Sequence, residues 1–158
     1  MRGLKLLAAL TLVSFVGACG GNSLGGDQAA KFAGAWKFSG GTLTPTCGQG
    51  LNVPAFALTN LTVTFSKVDD STIQVVTGNA GCALKFTVSG NVATATAGQT
   101  CTLDTGTALG VQTVSVTSWT LTYAGTETIT TNISAAIAFC TATGMGVLTP
   151  APSDGGAD

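Results

Sequence analysis

Histidine is absent, and arginine occurs once, at Arg2. Without histidine the chain can build neither a Ser-His nor a Cys-His nucleophile pair. Charge is scarce as well: Asp, Glu, Lys and Arg make up 8% of the chain, against roughly 25% in an average domain. Beyond residue 18, four lysines (Lys31, Lys37, Lys67 and Lys85) stand against seven carboxylates and leave a net charge of −3. No basic patch is available to hold nucleic acid or to grip anionic headgroups. No CxxC pair occurs, whereas structural zinc sites show close ligand spacing. Asp69-Asp70 is the only carboxylate cluster; it reads as a turn, because calcium needs six to eight oxygens and no acidic repeat supplies them. The sequence therefore reads as a non-enzyme with no metal and no cofactor.

No apolar run is long enough to span a bilayer as a helix. The stretch from Leu6 to Val16 carries no charge, but it is far shorter than the roughly 20 residues a spanning helix needs. Arg2 and Lys5 precede it and small residues follow, which is the pattern of an export signal. Gly20 to Ala30 is rich in glycine and small polar residues and reads as a coil tether. Pro150 to Asp158 reads as a disordered tail. The expected organisation is a signal over 1–18, a tether over 19–30, one domain over 31–149 and a tail over 150–158.

What is abundant is threonine, with 27 residues. Threonine is β-branched and suits the exposed face of a strand. Leu61, Val63 and Phe65 alternate with threonine and serine, and Cys82, Leu84, Phe86 and Val88 alternate with Ala83, Lys85 and Thr87. Such period-two patterns mark half-buried strands. Turns are expected at Gly40-Gly41, Asp69-Asp70-Ser71, Gly90-Asn91 and Ala124-Gly125. Between Val114-Val116 and Trp119-Leu121-Tyr123 the apolar parity switches, so a bulge is expected near Thr117-Ser118. A second long strand carries Ile129, Ile133, Ile137 and Phe139 on one parity. The expected fold is all-β: one antiparallel up-and-down barrel of seven to nine strands, with a β-sandwich as the alternative. Closure is preferred because the surface has few charges to guard an edge strand.

Cys47, Cys82, Cys101 and Cys140 lie in the expected domain. An even number in an exported domain reads as two disulfides, and three pairings are open. A two-residue turn at Gly90-Asn91 brings Cys101 near Cys82. In a closed meander Cys47 and Cys140 then meet across the first and last strands. The expected pairs are Cys82–Cys101 and Cys47–Cys140. The small residues of Asn91 to Gly98 leave room inside a barrel. The first reading is that Phe65 and Phe86 from neighbouring strands fill that room; the alternative is a small apolar ligand pocket among Trp36, Phe65 and Phe86, with Phe56 and Leu58 at its mouth.

Three local patterns resemble known families. Val16-Gly17-Ala18-Cys19 resembles the lipobox of bacterial lipoproteins. The resemblance implies cleavage before Cys19, lipid on that cysteine and a firm hold on a membrane. Gly20 rather than aspartate follows, which implies the outer membrane. Gly34-Ala35-Trp36 resembles the opening Gly-x-Trp of lipocalins and related calycin barrels. Asp104-Thr105-Gly106 is similar to the Asp-Thr-Gly of aspartic proteases but lacks that motif's hydrophobic surroundings. As a whole, the chain resembles threonine- and glycine-rich lipoproteins of the myxobacterial type. The expectation is a non-catalytic, lipid-anchored envelope protein acting by display or by contact with surface components. The alternative is a carrier or sensor of a small apolar ligand in the barrel.

Overall fold

The alternating segments fold into strands that follow one another round a ring. The computed structural model describes residues 26–48, 50–76, 82–104, 111–137 and 139–152. These contain ten strands and no helix: β1 (Gly34–Cys47), β2 (Phe56–Ala57), β3 (Thr62–Asp69), β4 (Thr72–Val76), β5 (Ala83–Ser89), β6 (Val92–Ala95), β7 (Thr100–Asp104), β8 (Val111–Tyr123), β9 (Ile129–Ile137) and β10 (Cys140–Pro150). The hydrogen-bonded order β1-β3-β4-β5-β6-β8-β9-β10 is also the chain order, and β10 pairs back onto β1. The result is a closed antiparallel barrel of eight strands, with β2 and β7 as extras. The sandwich alternative is excluded by the β1–β10 ladder, which runs from Trp36↔Pro150 to Cys47↔Cys140.

The extra strands continue neighbours rather than widening the ring. β6 pairs with Thr120–Thr122 at one end of β8, and β7 pairs with Val111–Ser115 at the other. Together they line the same edge of β8, with a corner between them. Gln99 fills that corner: its side-chain amide replaces a missing ladder rung, accepting from Lys85 N at 2.8 Å and donating to Lys85 O at 2.8 Å. β2 pairs with Thr42 and Leu43 on the edge of β1 that β3 leaves free.

Several expectations hold in detail. Ser89 pairs with Val92 across Gly90-Asn91, and Gly90 has φ +57°, the left-handed value a tight hairpin turn requires. The register of β8 against β9 shifts between Val116 and Ser118, and this shift lets Val116 and Leu121 both face inward. Asp69 to Ser71 forms the β3–β4 turn. Both disulfides form as expected: Cys47–Cys140 with Cα atoms 4.0 Å apart, and Cys82–Cys101 with Cα atoms 4.6 Å apart.

Others need correction. Gly40-Gly41 is not a turn. β1 runs through it with a register shift between Phe38 and Gly40, so the two glycines bend a single strand. A Cβ on Gly41 would stand 2.6 Å from Gly146 Cα, and its φ is +137°; glycine is there because β1 and β10 approach so closely. β9 ends at Ile137, and Phe139 lies in an exposed turn ahead of β10. β10 was hidden because its inward positions are Ala142, Gly144, Gly146 and Leu148, three of them too small to show as apolar alternation. At the ends, Asp27–Ala30 pack onto the barrel rather than trailing as coil, and Pro150 belongs to β10.

Candidate functional site

The two ends of the barrel differ in kind. One end is closed by the segment that leads into β1. The amides of Gln28 and Ala29 both donate to Asp70 O at 3.1 Å. The Gly90 amide donates to Gln28 Oε1 at 2.6 Å, and Lys31 Nζ donates to Gly90 O and Asn91 Oδ1. These bonds tie the segment to the β3–β4 and β5–β6 turns. Ala29 and Phe32 are fully buried beneath it. Trp36 Nε1 donates to Phe32 O at 2.8 Å, and the Phe32 ring meets Tyr123 edge-on at 6.1 Å.

Charge collects at this closed end. Lys67 bridges Asp27 and Asp70. The hydrogen bond from Lys67 holds the Asp27 carboxyl below its ordinary value, and the two carboxylates hold the Lys67 ammonium above its own, Asp27 more than Asp70. Asp69 is also lowered, chiefly by the Ser71 amide that donates to it. Glu127 lies in the β8–β9 turn at the same end.

The opposite end is open and carries both disulfides. Leu51, Val76, Val111 and Phe139 are each half or more exposed there. Leu51 and Phe139 are joined through Gly48, whose amide donates to Phe139 O and whose carbonyl accepts from Leu51 N. Asp104, where β7 ends, is the one charged residue that the described backbone places at this rim. The Asp-Thr-Gly pattern it begins continues into residues outside those described.

Below the rim lies an interior cavity of about 180 Å³. Its lining is wholly apolar: Leu43, Cys82, Leu84, Cys101, Val114, Val116, Ile133, Ala135, Ile137 and Ala142 form the walls, and Trp119 closes it below. Trp119 Nε1 donates to Thr131 Oγ1 at 2.8 Å, which pairs off the one buried polar side chain among the described residues.

The room left by the small residues of Asn91 to Gly98 is filled by aromatic rings, as the first reading has it, and the cavity lies elsewhere. Phe65 and Phe86 are buried with rings edge-to-face at 5.8 Å, and Phe86 meets Trp119 at 5.2 Å. Phe86 pairs directly with Ala95, so the large ring occupies the space that the small residues of β6 leave. Trp36 belongs to the closed end. Leu58 is buried against β1, its amide donating to Gly41 O, while Phe56 points into solvent. None of these five residues lines the cavity. The signal that could have found it is the facing pair Ala135↔Ala142, two small inward residues side by side, but β10 had to be recognised first.

A second depression, of about 460 Å³, lies on the outer wall. Thr42, Thr44, Ser118, Asn132, Ser134 and Thr143 line it with hydroxyl and amide groups, and Met145 borders it. Among the described residues no cluster of three or more Cys, Asp or Glu side chains could hold a metal ion. Cys19 lies outside the described residues. Comparison with protein-family models, with curated proteins and with solved structures finds no match to this chain.

Proposed function

We propose that the chain is a non-catalytic, lipid-anchored protein of the bacterial envelope that acts by contact through its open end. The observation that supports this reading best is the polarity of the barrel. Charge and hydrogen bonding gather where the N-terminal segment enters, where Val68 and Val92 are also exposed, while Leu51, Val76, Val111 and Phe139 stand half or more exposed at the opposite rim. Exposed apolar side chains gathered at one end of a domain suit contact with a partner. The anchor is the lipid on Cys19, which the lipobox pattern before it supports, and Gly20 rather than aspartate after it supports the outer membrane as its location. Photo-crosslinking in the host tests the reading. A crosslinking side chain at Phe139 should yield a discrete adduct, and one at Glu127 should not. Equal labelling at both ends would overturn contact through the rim.

The cavity favours a second reading, a carrier of a small apolar ligand. Pockets for drug-sized ligands run from roughly 300 to 1,000 Å³, so about 180 Å³ suits a ring or a short alkyl end rather than a whole lipid. An apolar cavity of similar size, roughly 150 Å³, stays dry and takes up benzene. Trp119 is a built-in reporter: its emission should shift when benzene or hexanol binds. Ala142→Leu should abolish that shift by filling the space. A shift that survives in Ala142→Leu would count against the cavity as the site.

A further inference from the structure

We infer that the closed end of the barrel is the surface that faces the anchoring membrane, and that the open rim and the cavity face away from it. This rests on the lipid-anchored reading. Its argument is the length of chain between the anchor and the barrel and the point at which that chain arrives. Asp27 is fixed at the closed end by its ion pair to Lys67, and Gln28 is fixed beside it by Asp70 and Gly90. Seven residues separate Cys19 from Asp27, so the anchor lies at most roughly 28 Å from that point at full extension.

The barrel is about as long as this reach. β10 crosses it in 11 residues and β1 in 14. At about 3.3 Å per residue and a tilt near 40°, rim and closed end stand roughly 25–33 Å apart. A barrel turned rim-down would hold its closed end that far above the bilayer and would stretch the chain to its limit. The rim-up pose needs no extension. The surfaces agree with this placement. Asp27, Lys31, Lys67, Asp69, Asp70 and Glu127 lie at the closed end, where Val68 and Val92 are the large apolar side chains left exposed. What the rim meets therefore comes from the side opposite the anchor, and a hydrophobe entering the cavity is not drawn from the anchoring bilayer.

The test uses the full lipidated chain in vesicles of phosphatidylethanolamine and phosphatidylglycerol. A donor fluorophore is placed at Glu127 or at Val111 through a non-natural amino acid, with an acceptor on the lipid headgroups. Energy transfer should be several-fold greater from Glu127. Equal transfer would mean a barrel lying on its side, and greater transfer from Val111 a barrel lying rim-down; either overturns the inference. Flotation of the same vesicles is read first. A chain that does not float overturns the anchor, and the orientation with it, whereas a chain that floats with the wrong transfer pattern overturns the orientation alone.

Discussion

Removing the seam bridge, Cys47→Ala with Cys140→Ala, should be the most costly loss of a single covalent link. The bridge joins positions 93 residues apart. In the chain-entropy model a cross-link restrains the unfolded chain by an amount that grows with the logarithm of the loop, here about 4.7 kcal/mol at 25 °C. The Cys82–Cys101 bridge spans 19 and yields about 3.2 kcal/mol by the same expression. Cys82 and Cys101 are also buried and line the cavity, so deleting their sulfurs adds a cavity cost of order 1 kcal/mol. Cys47 and Cys140 are only half-buried, so their deletion isolates the entropic part. For a domain of about 120 residues the unfolding entropy is near 0.25 kcal/mol/K, and 4.7 kcal/mol lowers Tm by about 19 °C. Urea denaturation followed by circular dichroism measures the loss. The m value should rise, because the unbridged denatured chain exposes more surface. A loss below about 1 kcal/mol at unchanged m would refute the reasoning, since the seam residues would then be held together before folding.

Gly41→Ala and Gly144→Ala place a Cβ 2.6 Å from Gly146 Cα and 2.7 Å from Thr42 O; each should cost about 2 kcal/mol or more in thermal melts, whereas Gly40→Ala, with open space around it, should cost far less. Trp119→Phe leaves the buried Thr131 hydroxyl without its donor and should cost about 1–3 kcal/mol. Adding Thr131→Val should restore part of this, which a double-mutant cycle in urea would show. Asp27 sits below its ordinary value of 3.8 because Lys67 donates to it. Its stabilisation is therefore present above about pH 3.8 and fades as pH falls through the lower folded value. Lys67 sits above 10.5, so its contribution is present below that pH and is lost as pH rises through the raised value. The fold-protection of the Gln28 and Ala29 amides relative to their intrinsic exchange rates should fall at both extremes, and Lys67→Met should leave protection that does not vary with pH in these windows.

Period-two alternation made most of the wall legible in the sequence. The alternation of Cys82 to Val88 marks β5, and the parity change between Val116 and Trp119 marks the bulge in β8. The cysteine pairing followed from the Gly90-Asn91 turn and from closure. β10 escaped because its inward face is mostly absent: Gly144 and Gly146 stand where a side chain would strike Leu43 or Phe38, and a pattern made of missing side chains cannot be read as alternation. Gly40-Gly41 misled for the related reason that paired glycines serve both turns and close backbone approach. The cavity was missed because it depends on what surrounds small residues rather than on the residues themselves. Ala95 has Phe86 directly across the ladder, while Ala135 and Ala142 face each other and border the cavity.

The scarcity of charge and the closure of the barrel are linked through the seam. Strands β1 and β10 are the last to meet in a meander, and their pairing spans most of the domain, so closure is the slow, non-local step of folding. Until it happens both are open edges, and edges are usually guarded by lysine, proline or inward charge. β1 offers Lys37 and Pro45 along its length, and β10 offers Pro150 alone, at its last position. Neutral threonine does not repel a second edge of the same kind. The open barrel is thus the aggregation-prone species, and Cys47 and Cys140, which face each other at the rim end of the ladder, stand where a covalent link keeps the seam from reopening. In a reducing medium that link is absent. The population with its seam open then rises with the loss of the bridge's stabilisation, so the reduced chain should aggregate at lower concentration than the oxidised one.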